Sequence, residues 1–419
     1  MRKNRFTTYI LMRFWGGGYT IASRLRFWSA YIQYGFPLTN YIGRKAETVA
    51  LLPLAIILYP TSLALLRFRI HIWPIYSERL GHQCLESDCA IRSSTSNRTP
   101  RKVLLISRKR KTANSMFLDF LPSGAQHFEG RIVYAAAVAL TYFNLYQKAK
   151  RFCRVPTISQ THHIIVKNTP IAFKMNRENR KKAIALLGEL ISCSKLPQEY
   201  RNYRGYCAVN FRHPYEEILG DQLQAQRYSS AAKLELSLKY MREIGIIPVL
   251  AGSPPSKYMA GLPEDLFVNY AASKWKSDIN DVLLSGNATF CLGSTSGLTL
   301  LSSVFGVPSI VHNQVPYREF WYTNMDIVVP KLMRNKESGK LVSYNKKIID
   351  SELKRRYMID KTDVCNYEEC AAEDILEAVR EMCLRLGIVA NSPGDAADIC
   401  QGSSISPSFK RKYAAYFPN

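Results

Sequence analysis

Residues 288–313, ATFCLGSTSGLTLLSSVFGVPSIVHN, predict a strand, a polar turn, a helix and a second strand. The apolar run 288–292 has β-branched and aromatic members, which is typical of a strand buried on both faces. Residues 299–305 have helical spacing, and Gly306-Val307-Pro308 ends that helix before a strand over 309–311. The rest of the chain is arranged around this unit.

The turn of this unit, Gly293-Ser294-Thr295-Ser296-Gly297, has the composition of an anion-binding loop. Its glycines can adopt positive φ, and its hydroxyls can cap the helix that follows. The first N–H groups of that helix and the helix dipole converge on the turn, so a negative charge is stabilised there. We therefore expect the turn to bind the phosphates of a ligand. The alternative is an ordinary turn between a strand and a helix.

The remainder of the second half repeats this alternation of strands and helices. Strands are predicted over 206–211, 246–251 and 266–270, and helices over 231–243 and 277–284. Alternation with short loops predicts a parallel, doubly wound sheet with right-handed crossovers. Ligands of such sheets bind beyond the carboxyl ends of the strands.

This rule gathers the residues that follow the predicted strands into one crevice. They are Arg212, His213, Gly252, Ser253, Ser273, the five residues of the 293–297 turn, and Asn313. The planar guanidinium of Arg212 matches a diphosphate bidentately, and its alternative role is a structural ion pair. His213, which precedes Pro214, would hydrogen-bond a ligand, and Lys331, after another strand-like run, would neutralise phosphate.

The composition is that of a globular protein with a strongly basic surface. Hydrophobic residues make up 47% and charged residues 21%, while 57 Lys and Arg against 33 Asp and Glu give a net charge of +24. This surplus favours nucleic acid, anionic lipid or a phosphorylated substrate. The ten cysteines form no C-x-x-C pair and no His cluster completes a zinc site. Free thiols in a reducing, cytoplasmic compartment and no bound metal are the expectation.

Sequence motifs also restrict the function. No P-loop, G-x-G-x-x-G, H-E-x-x-H or G-x-S-x-G motif occurs in the chain. Their absence argues against P-loop NTPases, glycine-fingerprint dinucleotide enzymes, zincins and ordinary α/β-hydrolases.

The N-terminal region favours attachment to a membrane. Residues 1–47 carry many Lys and Arg against the single acid Glu47, interleaved with aromatic residues. This mixture is found at lipid headgroup boundaries and also in RNA-binding segments. Residues 48–66 are uncharged, are flanked by cations, and approach the length of a spanning helix that Pro53 and Pro60 would kink. A buried core helix is the alternative.

Candidate acceptor-side residues lie between this stretch and the second half. Glu78-Arg79-Leu80-Gly81-His82, with Glu86 and Asp88 close behind, predicts a polar turn before a strand over 102–106. His82 has the unperturbed pKa that suits a general base, and its alternative role is to fix the turn. Further along, 132–146 predicts a core helix and 177–191 an amphipathic helix.

Several segments carry a resemblance to a known family. They are VNYAASKWKSDINDVLLSGNATFCLGSTSGLTLLSSVFGVPSIVHN (268–313), VVPK (328–331), VNFRHP (209–214), IIPVLAG (246–252), ISPSFKRKY (405–413) and ERLGH (78–82). Together they resemble bacterial glycosyltransferases from surface-polysaccharide gene clusters. The arginine and the hydroxyl-rich loop are also similar to the donor site of GT-B fucosyltransferases. The chain departs from the family where an acid commonly follows the arginine, because His213 and Pro214 stand there.

The resemblance implies an α/β, GT-B-like fold of two Rossmann-type domains with parallel, doubly wound sheets, plus an N-terminal membrane-associated helical segment. Arg212, Ser294, Thr295, Ser296 and Gly297 would bind the donor diphosphate, with Asn313 and Lys331 nearby. The expected parts are a membrane-associated segment (1–69), an acceptor-side domain (70–200), a nucleotide-sugar-binding domain (201–335) and a helical extension (336–419).

The expected activity is transfer of a sugar from a nucleotide-activated donor to a lipid-linked or surface-glycan acceptor. His82, Glu86 and Arg212 are the expected catalytic residues. GT-B enzymes generally need no bound metal, so a nucleotide-sugar co-substrate without metal or other cofactor is expected. The expected partners include an anionic membrane surface, at the cytoplasmic face of the inner membrane, but no nucleic acid. The alternatives are an epimerase or a phosphate-ester transferase on the same fold, or a non-enzymatic membrane-associated protein that binds nucleic acid or anionic lipid.

Overall fold

A computed structural model of the chain describes residues 51, 53–95, 102–108, 112–140, 169–197, 203–212, 228–252, 262–315, 322–342, 365–389, 405–414 and 417. In chain order its elements are α1 (Tyr59–Arg67), β1 (Ile70–Pro74), α2 (Leu80–Thr95), β2 (Lys102–Ser107), β3 (Ala125–Glu129), α3 (Arg131–Leu140), α4 (Arg177–Ser192), β4 (Gly205–Asn210), α5 (Glu235–Glu243), β5 (Ile246–Leu250), β6 (Val268–Asn269), α6 (Asp278–Asn287), β7 (Phe290–Gly293), α7 (Gly297–Val304), β8 (Ser309–Gln314), β9 (Ile327–Pro330), β10 (Leu332–Asn335), β11 (Cys365–Glu368), α8 (Ala372–Arg385) and α9 (Pro407–Lys412). Short 3-10 helices precede β3, α5 and β6.

The larger sheet has six parallel strands in the order β6-β5-β4-β7-β8-β9. Numbered from β4, this is the 3-2-1-4-5-6 order of a Rossmann-type sheet. Strands β5, β7, β8 and β9 are buried along their whole length, as apolar runs without alternation predict. The predicted parallel, doubly wound α/β architecture is therefore confirmed.

Helices cover both faces of this sheet. On one face α5 and α8 pack against alternate strand residues such as Leu250, Leu292 and Ile310. On the other face α4, α6 and α7 pack against the intervening residues, such as Val249 and Cys291. The predicted domain boundary at residue 200 lies after α4, although α4 packs on the six-stranded sheet, whose strands all follow that boundary. The domain boundaries stay a prediction.

The smaller sheet has three parallel strands in the order β1-β2-β3. Helix α2 covers one face, where Cys84 and Ile91 pack with Trp73 and Leu105. Helices α1 and α3 lie on the other face, where Ala137 packs with neighbouring strand residues. The α2 side joins a hydrophobic cluster that includes residues of α7, β8 and β9, so one core connects the two sheets.

The prediction of a polar turn over 78–88 is wrong beyond residue 79, because α2 begins at Leu80 and runs to Thr95. Its buried face is largely polar: Gln83, Ser87, Asp88 and Arg92 are all almost fully buried. The Gln83 side chain donates to the Asn114 carbonyl over 2.7 Å and accepts from the Asn114 N–H over 3.1 Å. Hydrophobic periodicity does not reveal a helix whose partners are polar groups.

The apolar stretch 48–66 is described only in part. Residues 53–57 are helical, and a turn at Leu58 separates them from α1, which contains Pro60. Proline lacks the N–H for an intrahelical hydrogen bond, which agrees with an interruption here. Within the described ranges, no helix has both the length and the apolar character needed to cross a membrane. The basic-aromatic segment 1–47 lies outside the described residues.

Candidate functional site

The loops after β4 and β7 leave the larger sheet from neighbouring points. Strands β4 and β7 pair in parallel, and their last residues, Asn210 and Gly293, are register partners. The strand order reverses between these two strands, so this is the switch point at which open α/β sheets bind ligands. Arg212 follows β4 by two residues and the 293–297 turn follows β7 directly. Two of the predicted site segments therefore lie next to each other at the carboxyl edge of the sheet.

Asn210 organises the turn after β7. Its Oδ1 accepts a hydrogen bond from the Ser296 hydroxyl over 2.7 Å and lies 3.0 Å from Thr299 Oγ1. Ser296 is the N-cap of α7, since its Oγ accepts from the Thr299 N–H over 3.3 Å. Thr299 Oγ1 also lies 2.7 Å from the Ser294 carbonyl oxygen. The turn before α7 is thus fixed by polar contacts.

Both glycines of the turn are required by close packing. A Cβ on Gly293 would lie 2.4 Å from Thr299 Oγ1 and 2.7 Å from Asn210 Nδ2. A Cβ on Gly297 would lie 2.8 Å from the Gly81 nitrogen. The sequence suggested conformational freedom as the reason for these glycines, whereas neither has a positive φ in the structure.

The turn contains a fully buried hydroxyl, that of Ser294, that lacks a hydrogen-bond partner among the described residues. A buried hydroxyl without a partner costs free energy unless a bound group satisfies it. Thr295 is partly exposed beside it. Both side chains lie immediately before the α7 N-terminus, which favours an anion.

Arg212 and Gly252 also lie at this edge. Arg212 is partly buried, and its carbonyl accepts the Ser229 N–H over 2.7 Å. Gly252 follows β5 with a φ of 116°, and a Cβ there would lie 3.2 Å from Leu298 of α7. Two further crevice candidates, His213 and Ser253, lie outside the described residues. Ser273 is tied locally, since its hydroxyl donates to the Tyr270 carbonyl over 2.9 Å.

Asn313 lies at the carboxyl end of β8, fully buried and with a φ of 51°. Its Nδ2 donates to Ser229 Oγ over 2.9 Å, and its Oδ1 accepts the Cys370 N–H over 2.7 Å. The Asn313 amide therefore links the segments before α5 and α8 to the sheet. A part for Asn313 in ligand binding stays a prediction, and these contacts give it a positioning role.

His312, which sequence reasoning missed, lies beside Asn313. It is fully buried, and its Nδ1 lies 3.2 Å from Ser229 Oγ. The Asn313 Nδ2 donor also lies 3.4 Å from His312 Nδ1, so Nδ1 is the acceptor of the neutral ring and the ring proton is on Nε2. Burial, with a further contribution from Lys331, lowers the pKa of His312 to about 3, so the ring is neutral. Among the described residues His312 Nε2 has no hydrogen-bond partner.

Lys331 follows β9 and is almost fully buried rather than solvated. Burial lowers its pKa, while the Glu369 carboxylate and Cys370 act in the opposite direction. A partly desolvated ammonium interacts strongly with an anion that enters its surroundings. The sequence places Lys331 after a strand but does not indicate this burial.

The acceptor-side candidates form a pair on the first turns of α2. His82 Nδ1 lies 3.0 Å from Glu86 Oε1, and Glu86 Oε2 accepts the Tyr76 N–H over 2.6 Å. The Tyr76 ring packs edge-on against His82 with 5.4 Å between ring centroids. Burial raises the pKa of Glu86, and its hydrogen bond to His82 counteracts this. With Nδ1 directed at Glu86, Nε2 of a neutral His82 is left as the acceptor.

The N-terminus of α2 meets the N-terminus of α7. The Gly81 and Gly297 backbones are in direct contact, and a Cβ on Gly81 would lie 3.3 Å from Leu300 Cδ1 and 3.4 Å from the Gly297 Cα. His82 is therefore the next residue after Gly81, which touches the 293–297 turn that we expect to bind phosphate. Tertiary structure brings the 78–82 and 293–297 segments together, although they are far apart in the sequence. Within the described residues, no group of three or more His, Cys, Asp or Glu could hold a metal ion.

Comparison with known proteins gives distant structural likenesses. No protein-family model matches the sequence, and no curated protein matches it. A glycosyl transferase family 9 structure from Veillonella parvula DSM 2008 is similar with a TM-score of 0.45 and 10% identity, covering 76% of this chain and 98% of that chain. The ADP-heptose LPS heptosyltransferase II of E. coli gives 0.36 and 12%, covering 57% and 84%.

The iron-containing dodecameric glycosyltransferase TibC of enterotoxigenic E. coli H10407 gives a TM-score of 0.32 and 12% identity, covering 61% of this chain and 62% of that chain. All three matched proteins are glycosyltransferases by name. The function proposed for this chain rests on its own residues.

Proposed function

We propose that the chain is a glycosyltransferase that moves a sugar from a nucleotide-activated donor to a lipid-linked or surface-glycan acceptor. The observation that carries the proposal is the contact of Gly81 with Gly297. This contact supports the proposal because His82, held by Glu86, follows Gly81, and Gly297 begins α7 at the switch point of a Rossmann-type sheet, where the first N–H groups of a helix favour an anion. Sugar transfer from a nucleotide needs these two functions side by side.

The donor diphosphate would bind at the turn before α7. The Ser294 hydroxyl, the helix N-terminus and Arg212 supply donors and positive charge to the leaving group. His312 Nε2–H and Lys331 add a neutral donor and a cation at the ends of β8 and β9. His213, Ser253 and Thr295 complete the proposed donor site, together with Gly252 and Gly293, which leave room for it.

His82 would act as the general base. Its Nε2 takes the proton of the acceptor hydroxyl while that oxygen bonds to the anomeric carbon, and the bond from carbon to the nucleoside diphosphate breaks. Glu86 holds the ring through Nδ1 and stabilises the imidazolium that forms. No metal is needed to offset the leaving diphosphate in this scheme, because the helix N-terminus and basic residues do so. Action at the cytoplasmic face of the inner membrane, without nucleic acid, completes the proposal.

The donor site is tested by thermal unfolding with UDP, GDP, CMP, dTDP, ADP and their sugars. A ligand that binds the folded state raises the unfolding temperature with concentration. We expect one nucleotide to do so, and Arg212→Ala to reduce that shift. Arg180→Ala, an exposed arginine of α4, is the matched control and should retain it. An Arg212→Ala variant with full nucleotide affinity would remove the support for this donor site.

The base is tested with the donor that this panel identifies. Replacement of His82 by Ala should lower kcat by about 10²–10⁴-fold while nucleotide affinity is kept. Glu86→Gln should move the acidic limb of the pH–rate profile without abolishing donor binding. An unchanged kcat in His82→Ala would exclude the histidine as base. An epimerase or phosphate-ester transferase would use the same crevice, and analysis of the products distinguishes these reactions from sugar transfer.

A further inference from the structure

The exposed large apolar side chains of the described residues are concentrated at one corner of the molecule. Those at this corner are Ile56, Ile57, Tyr59, Leu63, Phe68, Phe128, Ile132 and Val133. Elsewhere in the described ranges, Tyr76, Ile184 and Leu236 are the exposed members of this class. Exposure reaches 85% for Ile132 and 75% for Phe68. A concentration of this kind marks an interaction surface, whereas single exposed apolar residues are ordinary.

The corner is formed by the two helices that cover the outer face of the smaller sheet. On their inner side, Leu65 of α1 and Ala137 of α3 pack around Ile72 and Ile106. The Ser62 hydroxyl bonds to the Leu140 carbonyl over 2.5 Å and ties the helices together. A helix that is apolar on its inner side normally presents polar residues outwards. Here Leu63 and Ile132 face outwards, so this layer lacks the usual polar exterior.

The sequence prediction of a core helix over 132–146 is wrong for the start of that helix. Ala137 and Ala139 are buried, whereas Ile132 and Val133 are exposed. The segment after Leu140 lies outside the described residues. Apolar content predicted burial, but the burial requires a covering partner that this face of α3 does not have among the described residues.

The charges of the corner are almost all positive. Residues 51–76 and 131–140 contain no Asp or Glu, and Arg67, Arg69 and Arg131 are exposed. The Arg108 guanidinium lies over the Tyr134 ring, 4.9 Å from its centroid. Glu129, just before α3, is the acid in the neighbouring strand. Apolar side chains surrounded by arginines match the acyl boundary and the anionic headgroups of a bilayer.

The chain that leads into this corner has the same chemistry. Residues 1–47 combine Lys and Arg with Phe, Tyr and Trp, and contain the single acid Glu47. They connect covalently to the helical residues 53–57, which include Ile56 and Ile57. The basic-aromatic segment therefore leads, through the uncharged apolar stretch 48–66, to the arginines Arg67 and Arg69.

We infer that the outer face of α1 and α3, with residues 53–57, Phe68 and Phe128, is a docking surface for an anionic lipid bilayer. The surface begins at the edge of the sheet that carries the proposed base. Helix α3 follows the carboxyl end of β3 and α2 follows that of β1, and the strands are parallel. In this respect the inference rests on the proposed function: docking would present a lipid-linked rather than a soluble acceptor to His82.

The test is co-sedimentation of the full-length protein with vesicles of phosphatidylcholine, alone or mixed with phosphatidylglycerol. We expect binding to the mixed vesicles that weakens with salt. Ile132→Ser should weaken it by about tenfold, since an exposed isoleucine no longer enters the bilayer. Ile184→Ser, on α4 and 63% exposed, is the matched control and should bind as the unaltered protein does. Arg131→Glu should weaken binding to the mixed vesicles by about fivefold or more, whereas Arg180→Glu should have less effect.

Other outcomes overturn the inference. Absence of vesicle binding, or equal binding by Ile132→Ser and Ile184→Ser, would exclude this corner as the lipid surface. A dimer that Ile132→Ser dissociates would assign the face to a second copy of the chain. Nucleotide-dependent thermal stabilisation is measured without vesicles, so failure of the donor site and failure of the lipid surface are distinguishable.

Discussion

The two parallel sheets of this chain differ in how their faces are covered. The six-stranded sheet has helices on both faces, and its central strands are buried along their whole length. The three-stranded sheet is covered on one face by α2, while the helices on its other face present apolar side chains outwards. The larger sheet is therefore enclosed by helices and carries the candidate donor site at its carboxyl edge. The smaller sheet is enclosed on one face, and the helices on its other face form the proposed lipid-docking surface.

The comparison also shows where the two halves are joined. Asp88 and Arg92 of α2 form a fully buried ion pair with 2.8 Å between Oδ2 and Nε, and the Tyr322 hydroxyl, in the connection between β8 and β9, donates to the same carboxylate. The Arg92 guanidinium also lies over the Tyr322 ring, 5.3 Å from its centroid. The smaller sheet is thus attached to the larger one through polar groups inside an otherwise apolar cluster.

Breaking this junction should have the largest effect. Asp88→Asn leaves the Arg92 charge buried without its counterion, which costs about 3–5 kcal/mol of unfolding free energy. Urea denaturation measures this loss. The matched control is Glu178→Gln, which removes an ion pair of the same spacing with Lys182 on exposed positions of α4. We expect no measurable change there, and similar losses in the two variants would contradict the assignment of the buried pair as the junction.

The pH dependence of unfolding should reveal a second buried carboxylate, that of Asp326, which lies just before β9 of the larger sheet. Asp326 accepts the N–H groups of Ser309 and Tyr322, each over 2.8 Å. Burial outweighs these bonds and raises its pKa from 3.8 to about 6. The folded state then holds a proton that the unfolded state has released, so the unfolding free energy falls as the pH rises from about 4 to 6, by about 3 kcal/mol. Urea titrations across this range test the slope.

Asp88 contributes in the same pH window, since burial also raises its pKa to about 6 against the opposing effect of Arg92. Asp326→Asn should therefore remove only part of the slope. Stability that is independent of pH in this range, or that rises with pH, would contradict the predicted direction for both groups.

The close packing of the 293–297 turn after β7 is tested by adding a methyl group to one of its glycines. Gly293→Ala places a methyl group against Thr299 and Asn210, which should cost about 1–3 kcal/mol and weaken nucleotide binding. Gly188→Ala, inside α4 with no atom within 4 Å of the added Cβ, should stabilise by about 0.5–1 kcal/mol. Equal unfolding temperatures for the two variants would show that the turn tolerates rearrangement.

The smallest expected effect separates capping from ligand binding. Ser296→Ala and Ser277→Ala each remove an N-cap hydroxyl that accepts an N–H over 3.3 Å, in α7 and α6 respectively. Each should cost about 1 kcal/mol. Only Ser296→Ala should also reduce nucleotide-dependent stabilisation, because the Ser296 hydroxyl orders the 293–297 turn, at which we expect the phosphates to bind. Equal nucleotide responses would remove Ser296 from the site.

The sequence by itself determined the alternation of strands and helices in the second half and the turn at its centre. Strand β7 and helix α7 lie within about two residues of the predicted bounds, because β-branched runs, glycine punctuation and serine caps act locally. It also placed Arg212 and the 293–297 turn at strand ends. These signals depend only on neighbours in the chain.

Tertiary structure alone decided which of these ends meet. Chain order does not state that β4 lies beside β7, that Gly81 touches Gly297, or that Asn210 and His312 belong to the candidate site, because strand pairing is a property of the whole sheet. The polar face of α2 escaped prediction since its burial depends on partners such as Asn114 and Tyr322. The exposure of one face of α3 was not predicted for the converse reason. An apolar sequence shows that burial lowers the free energy, but it does not show which partner covers the residues. For this face of α3, the inferred partner is the lipid bilayer and not another part of the protein.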